Sequence, residues 1–188
     1  DTAHKFMSKW RARFNVNKSA AMIVYDGRNK YYKEVNNAAE KGFRLGSESL
    51  EIKDNYKYLG LIITTKQNGM FNRSVEKLFE TAHIRSLIFK NNIAEQSADF
   101  PLLLNLWQTL VRPIVEYGCQ VWAPLISSST TRKLESLHSS ALQAFTAAYN
   151  THYSTIRAET ATSPLYIHRI ELAIRFRRIL MTQNPKRS

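Results

Sequence analysis

"DNYKYLGLIITT", residues 54–65, predicts two short β-strands with an interruption between them. The aromatic and β-branched side chains of this stretch favour a pleated, half-buried surface. Gly60 lies in the middle, where a glycine marks either a bulge or a position that another backbone approaches closely. Together with the residues before it, the stretch predicts a β-hairpin or small meander over residues 43–65. What requires a glycine at position 60 is therefore a question about both fold and function.

The hydrophobic period becomes helical from Phe71 onward. Residues 72–90 form one amphipathic pattern, and "LLLNLWQTLVR", after Pro101, predicts a second helix that is strongly apolar and central. Pro113 predicts a bend before a third apolar segment. The serines at 127–129 and Thr130 are N-cap candidates for a fourth helix. Its apolar stripe consists of Leu134, Leu137, Ala141, Phe145 and Ala148.

A fifth helix is predicted in "TSPLYIHRIELAIRFRRIL", with Ser163 as its cap and Pro164 at its first position. Near the other end of the chain, residues 5–13 predict the end of a basic helix, "AMIVYD" (21–26) a short strand, and residues 34–40 a helical turn. The whole pattern predicts an α+β fold. In this fold a small antiparallel β segment, residues 1–66, precedes a helical bundle, residues 67–188.

The composition excludes several classes of protein. A hydrophobic content of 44% over 188 residues argues against wholesale disorder and allows a real core. The single cysteine, Cys119, excludes a disulfide framework and argues against a zinc site. No apolar run is long enough to cross a bilayer, and no charged-then-apolar leader opens the chain, so we expect no membrane partner.

The net charge of +12 is concentrated at the two ends of the sequence. Residues 1–33 carry eight lysines and arginines against two aspartates, and residues 165–188 carry six against one glutamate. The part between them is close to neutral, at +1. Such clustering predicts a polyanionic partner, with nucleic acid favoured over the alternative that the charge serves only solubility.

Enzyme signatures are scarce. The four aspartates are unpaired, and no G-x-S-x-G, Walker or H-E-x-x-H motif occurs. His138 and Ser139 are adjacent, and adjacent residues on a helix do not face each other, so His138 is read as a satisfied surface histidine. Glu116 is read as a hydrogen-bonding partner at a buried edge, in preference to a general base. The sequence thus predicts neither a self-sufficient active site nor a cofactor held by this chain.

Five blocks of sequence carry a family resemblance. In order along the chain they are "NVNKS" with "AMIVY", "YKYLGLIIT", "LVRPIVEYGCQVW", "KLESLHSSALQAF" and "AETATSPLYIHRI". They resemble the reverse transcriptase of non-LTR (LINE-like) retrotransposons, from the end of its palm through its thumb. The resemblance covers nearly the whole chain, and its specificity comes from the order and spacing of the blocks.

The resemblance implies roles for particular residues. Tyr58, Leu59 and Gly60 would lie where the 3′ end of a primer is held, and Lys18 near the phosphates of an incoming nucleotide. The alternatives are that Gly60 permits a bulge and that Lys18 is an ordinary surface lysine. The catalytic aspartates of the family, and the Mg²⁺ they bind, have no counterpart in these residues. His138 and Gln143 also stand where relatives often carry glutamine and arginine.

Residues predicted to contact nucleic acid combine the matched motifs with basic side chains on polar helix faces. On the fifth helix, Arg175 and Arg178 share a polar wedge, whereas Arg169 and Arg177 fall within the apolar arc. The full set is Asn15, Lys18, Lys57, Tyr58, Leu59, Gly60, Lys66, Arg73, Lys77, Arg132, Lys133, Arg175 and Arg178.

Two main functions follow as hypotheses. In the first, the chain is a primer-grip and thumb fragment of a LINE-like reverse transcriptase, holding RNA or an RNA–DNA duplex by backbone contacts. In the second, it is a non-catalytic RNA-binding or scaffold protein derived from such an element, for example a peripheral subunit of a large ribonucleoprotein such as a ribosome. The first implies a nuclear location, and the second the location of the ribonucleoprotein. A third hypothesis is a helical protein-interaction module.

Overall fold

The computed structural model describes residues 2–12, 14–24, 42–45, 47–65, 69–93 and 99–183, without the side chains of residues 2–5 and 93. Within it the chain divides into two compact units, Asp1–Met70 and Phe71–Ser188. The helical turn predicted at residues 34–40 and the candidate Lys66 lie outside the described residues.

In its described residues, the first unit contains one helix and two separate antiparallel hairpins. Its elements are α1 (Thr2–Lys9), a 3-10 turn at Val16–Lys18, β1 (Phe43–Leu45), β2 (Glu48–Leu50), β3 (Asn55–Tyr58) and β4 (Leu61–Thr64). In the first hairpin Phe43 is opposite Leu50, and in the second Tyr58 is opposite Leu61. The predicted hairpin over residues 43–65 is therefore confirmed, as two hairpins and not as one continuous meander.

The prediction of a strand at residues 21–26 is wrong for residues 21–24, the part of it that the structure describes. Ala21 forms a single parallel bridge with Ile52, through the bonds Ala21 N–H to Glu51 O and Lys53 N–H to Ala21 O, both 2.9 Å. Residues 22–24 belong to no strand. An apolar run becomes a strand only where a partner supplies successive backbone bonds, and here the pairing is limited to one rung.

The second unit is a helical bundle. Its helices are α2 (Asn72–Ile93), α3 (Phe100–Leu110), α4 (Arg112–Glu116), α5 (Cys119–Trp122), α6 (Ser128–Thr146), α7 (Tyr153–Glu159) and α8 (Leu165–Gln183), with a 3-10 turn at Ala123–Leu125. These helices, together with the hairpins, confirm the predicted α+β fold. The bend predicted around Pro113 is also present, because α4 ends at Glu116 and Gly118, with a φ of 65°, precedes α5.

The central helix of the bundle is α6, which packs against α2, α3, α7 and α8. The prediction that α3 is central is wrong, since α3 buries only Leu103 and Trp107. Three of its other leucines, Leu102, Leu106 and Leu110, lie one turn apart along an exposed stripe. The leucines of α3 are spread around the helix and do not define a single apolar face. A prediction from apolar content alone therefore gave α3 more burial than it has.

The N-terminus of α6 is capped by a neighbouring residue, whereas that of α8 is capped by a residue distant in the sequence. Ser127 caps α6 as predicted, its Oγ accepting from the N–H of Thr130 at 3.2 Å. The predicted cap of α8 by Ser163 is replaced by a residue from another helix. The first N–H groups of α8, from Leu165 and Tyr166, donate to the Glu135 carboxylate at 3.2 and 2.7 Å.

Candidate nucleic-acid interface

The turn between β3 and β4 explains the glycine at position 60. Leu59 and Gly60 have φ values of 46° and 85°, and two successive positive values are typical of the two-residue type I′ hairpin turn. Gly60 therefore lies in the turn itself, and its left-handed backbone is one that glycine adopts without steric cost. Leu59 adopts the same region with a branched side chain, which costs about 1 kcal/mol or more.

The tip of this hairpin is strongly exposed. Tyr58 is 60% exposed and Leu59 is 73% exposed. Side chains alternate between the faces of a strand, so Tyr58 shares one face with Tyr56 while Lys57 lies on the other. The structure thus places these candidates on one hairpin but separates Lys57 from the face of Tyr58.

The motif residues Asn15 and Lys18 are held close to the same hairpin. The Asn15 side chain caps the 3-10 turn by accepting from the Lys18 N–H at 3.2 Å, and the Ser19 hydroxyl donates to the Asn15 carbonyl at 2.9 Å. The Tyr56 hydroxyl, from β3, donates to the Lys18 carbonyl. Asn15 and Ser19 therefore shape the turn, which leaves the Lys18 ammonium exposed.

Six further candidates are basic residues on three helices of the second unit. Arg73 and Lys77 are one turn apart on α2, Arg132 and Lys133 lie in the first turns of α6, and Arg175 and Arg178 are on α8. All six are exposed, and no ion pair among the described residues involves them. Glu76 and Glu80 lie beside the α2 pair and reduce its local charge.

Of the two arginines that were predicted to lie in the apolar arc of α8, one is buried and the other is exposed. Arg169 is buried, as its place in the apolar arc predicted, and its guanidinium lies 5.9 Å from the Trp122 ring centre. Burial lowers the pKa of Arg169, against the opposing effect of Glu135. Arg177 was placed in the same arc but is exposed, because no described side chain of α8 after Ala173 is buried. The end of this helix therefore presents all its sides to solvent.

Glu135, on α6, connects three helices. Its carboxylate accepts from the Arg157 guanidinium of α7 at 2.7 Å and from Arg169 at 3.4 Å, besides the two N–H groups at the start of α8. With its lone pairs engaged in this way, the carboxylate organises the bundle and is poorly suited to general-base chemistry. The sequence analysis missed Glu135, since its partners are 22 to 34 residues away.

Glu116 has the role that the sequence predicted. Its Oε1 accepts from Arg112 Nε at 2.7 Å and is 2.8 Å from His168 Nδ1, and its side chain is only 13% exposed. The carboxylate thereby ties α4 to α8. Burial, followed by the charge of Glu116, raises the pKa of the Cys119 thiol to about 11. Cys119 is therefore a protonated core residue and not a nucleophile.

The surface position predicted for His138 is wrong. The residue is 2% exposed, its ring stacks on Trp107 with centres 4.8 Å apart, and its Nδ1 has no hydrogen-bond partner among the described residues. Burial, reinforced by Arg157 and Arg112, lowers its pKa to about 3. Spacing from Leu134 could have revealed this position, because His138 lies four residues farther along the buried face of α6.

A groove between α6, α7 and α8 was also missed. It encloses about 710 Å³, and Tyr153 and Tyr166 contribute exposed rings to it. Arg132 lines it beside a series of hydroxyl groups on one face of α6. These hydroxyl residues are Ser128, Thr131, Ser136, Ser139 and Ser140. Of the sequence-predicted candidates, only Arg132 lines this groove.

Searches for a metal site and for a membrane span were negative within the described part of the chain. It contains no cluster of three histidine, cysteine, aspartate or glutamate side chains suited to a metal ion. None of the helices there is long and apolar enough to cross a membrane.

Comparison of the chain with known protein families, curated proteins and solved structures found no match. The resemblance to LINE-like reverse transcriptases therefore stays a prediction from the sequence motifs.

Proposed function

We propose that this chain holds nucleic acid by contacts that ignore base sequence, as the primer-grip and thumb part of a LINE-like reverse transcriptase. The observation that carries the proposal is the set of exposed basic side chains on α2, α6 and α8, none of which pairs with a described carboxylate. Cations in this condition can replace the counterions of a phosphate backbone. The exposed hairpin tip supports the same proposal as a second contact.

The decisive experiment is a salt titration. Fluorescence anisotropy of a labelled RNA–DNA duplex should give an affinity that falls about a thousandfold between 50 and 200 mM salt, if six basic residues each release a counterion. The variant R175Q/R178Q should make the logarithmic slope shallower by about two. K53Q is the matched control, because Lys53 is already paired with Glu51 at 2.9 Å. Affinity that ignores salt would overturn the proposal.

The proposal assigns binding, and not catalysis, to these 188 residues. Nucleotide addition requires carboxylates that hold Mg²⁺, and the half-buried Glu116 and Glu135 are engaged with cations and N–H groups. We expect no primer extension by this chain alone with Mg²⁺ and nucleotides. Extension by the purified protein would contradict this assignment.

The exposed leucine stripe of α3 favours a second candidate, the non-catalytic scaffold of a ribonucleoprotein. Leu102, Leu106 and Leu110 present apolar surface that a phosphate backbone cannot cover. Charged replacements along this stripe, such as L106E, should leave nucleic-acid affinity unchanged if the first candidate holds. In the scaffold they should release the chain from its particle, which sedimentation would detect.

A further inference from the structure

Three hydroxyl groups in the groove between α6, α7 and α8 share a hydrogen-bonding pattern. The Thr131 hydroxyl donates to the Ser127 carbonyl at 3.2 Å, that of Ser136 to the Lys133 carbonyl at 2.7 Å, and that of Ser139 to the Glu135 carbonyl at 2.9 Å. A hydroxyl has one hydrogen and two lone pairs, so the Thr131 and Ser136 hydroxyls each offer a ligand an acceptor and no donor, whereas the Ser139 oxygen already accepts from the Arg157 guanidinium at 3.4 Å.

Two more groups in the groove offer a donor as well as an acceptor. The Gln143 side chain donates one of its two amide hydrogens to the Thr151 carbonyl at 3.2 Å, which leaves the second hydrogen and the amide oxygen for a ligand. The Ser140 oxygen accepts from the Lys90 ammonium, which leaves the hydroxyl hydrogen to donate. From Thr131 to Gln143 these polar groups extend about 18 Å along α6, a length of about five nucleotides at 3.4 Å each.

The oxygens of Thr131 and Ser136 cannot recognise phosphate, which itself only accepts. The exposed guanidinium of Arg132 can make that contact, and the exposed Tyr166 ring provides a surface on which a base stacks. The Tyr153 ring already has the Arg157 guanidinium 5.1 Å and the His152 ring 4.4 Å from its centre. The acceptor oxygens of the groove can instead bind a sugar that donates hydrogen bonds. In nucleic acids this donor is the ribose 2′-hydroxyl, which DNA lacks.

We propose that the α6–α7–α8 groove binds a single RNA strand and distinguishes it from DNA through the 2′-hydroxyl. The proposal rests on the proposed nucleic-acid function and adds to it a site and a choice of sugar. Arg132 holds a phosphate, Tyr166 stacks a base, and the oxygens of Thr131 and Ser136 accept from ribose hydroxyls of the same strand.

The first test compares three labelled ten-nucleotide uridine strands that differ only at the 2′ position: ribose, deoxyribose and 2′-fluoro ribose. The fluoro strand keeps a ribose-like sugar conformation but has no 2′ O–H donor. Anisotropy titrations should give the ribose strand an affinity about fivefold or more above the other two, since one neutral hydrogen bond contributes about two- to tenfold. A fluoro strand that binds as well as the ribose strand would overturn the proposal.

The second test removes the acceptors. T131V/S136A should lower the affinity for the ribose strand to that for the deoxyribose strand, without changing the latter. T109V is the matched control, because the exposed Thr109 hydroxyl donates to the Asn105 carbonyl at 2.7 Å in the same manner but lies outside the groove. Thermal melts of both variants check the fold, and S136A alone, at an exposed position, serves if the double variant melts early.

The outcomes separate this inference from the function on which it rests. If no single strand binds even at low salt, the groove assignment fails, and the titration with the RNA–DNA duplex decides the proposed function by itself. If all three strands bind equally and with a steep salt dependence, the groove assignment fails and the proposed function stands. A ribose preference that survives T131V/S136A would also overturn the assignment, because the sugar would then be read elsewhere.

Discussion

The two units of this chain differ in how the sequence holds them together. Every described residue that is buried belongs to Phe71–Ser188, and none belongs to the described part of Asp1–Met70. The helical unit is therefore specified by buried side chains, whereas the hairpins of the first unit are specified by turns and backbone hydrogen bonds. A two-stranded hairpin is marginal on its own, so exposed turn geometry and not a core controls that region.

The two units also differ in how their exposed side chains can serve function. Side chains in the helical unit serve two purposes, since α6 buries one face and offers a hydroxyl-rich face to the groove. In the first unit Tyr58 and Leu59 are exposed at the hairpin tip, so their side chains bury little surface in the fold. Substitutions should therefore cost stability in the second unit and change mainly local order or binding in the first.

The largest effect is expected at Glu135. E135Q leaves the guanidinium groups of Arg157 and Arg169 without their carboxylate, and removing one partner of a buried ion pair costs about 3–5 kcal/mol. The free energy of unfolding, measured by urea titration with tryptophan fluorescence, should fall by that amount. E159Q is the control, since Glu159 is exposed at the end of α7 and forms no described ion pair. Equal losses in the two variants would contradict the structural role of Glu135.

A smaller effect should separate two adjacent leucines of α3. Leu103 is 4% exposed and Leu102 is 49% exposed. L103A should cost about 3 kcal/mol through lost burial and the cavity left behind, and L102A less than about 1 kcal/mol. The same urea titration measures both. A costly L102A would mean that the exposed stripe of α3 is covered in solution.

Sequence reasoning succeeded where one local pattern determines one feature. Helical periodicity placed Leu134, Leu137 and Ala141 in the core, and a serine before an apolar run marked the cap of α6. It failed where the deciding partner is distant along the chain. Glu135 replaces the expected cap of α8, and nothing near Ser163 in the sequence indicates this.

The candidate site follows the same rule. Exposure of the candidate cations could be predicted, because polar faces of amphipathic helices meet solvent. The groove could not, because α6, α7 and α8 come together only in the folded unit. The donor and acceptor roles of its hydroxyls depend on helical geometry as well, since each hydrogen goes to a carbonyl three or four residues earlier.

His138 allows a test by pH. Its pKa is about 3 in the folded protein, against an ordinary value of 6.5 in the unfolded chain. Above pH 6.5 the His138 imidazole is neutral in both the folded and the unfolded chain. Between pH 6.5 and 3 it binds a proton only in the unfolded chain. Stability should therefore fall as the pH is lowered, by about 2 kcal/mol at pH 5.

The matched variant is H138F, which keeps an aromatic ring against Trp107 and cannot bind a proton. Its free energy of unfolding should change less between pH 7 and pH 5 than that of the natural chain, by about 2 kcal/mol. Because the other histidines are common to both proteins, the difference isolates position 138. Parallel pH curves would show that His138 titrates alike in the folded and unfolded chains.

The smallest effect concerns the turn of the first unit. G60A forces a side chain onto a backbone with a φ of 85° and should cost about 1 kcal/mol locally. L59N should have the opposite sign, because asparagine followed by glycine is the preferred pair for a type I′ turn. Hydrogen exchange of the amides of Tyr58 and Leu61, which are opposite each other across the turn, measures both changes.

Binding measured on the same two variants decides what the glycine serves. If affinity for a primed template falls in G60A in step with the loss of hairpin order, Gly60 acts through the turn that presents Tyr58. The family resemblance implies a direct approach of the primer backbone to position 60. In that case G60A should lose affinity well beyond its increase in local opening, and L59N, which leaves Gly60 in place, reports the separate contribution of the Leu59 side chain. Unchanged affinity in both variants would remove this hairpin from the nucleic-acid interface and leave the contacts to the helical unit.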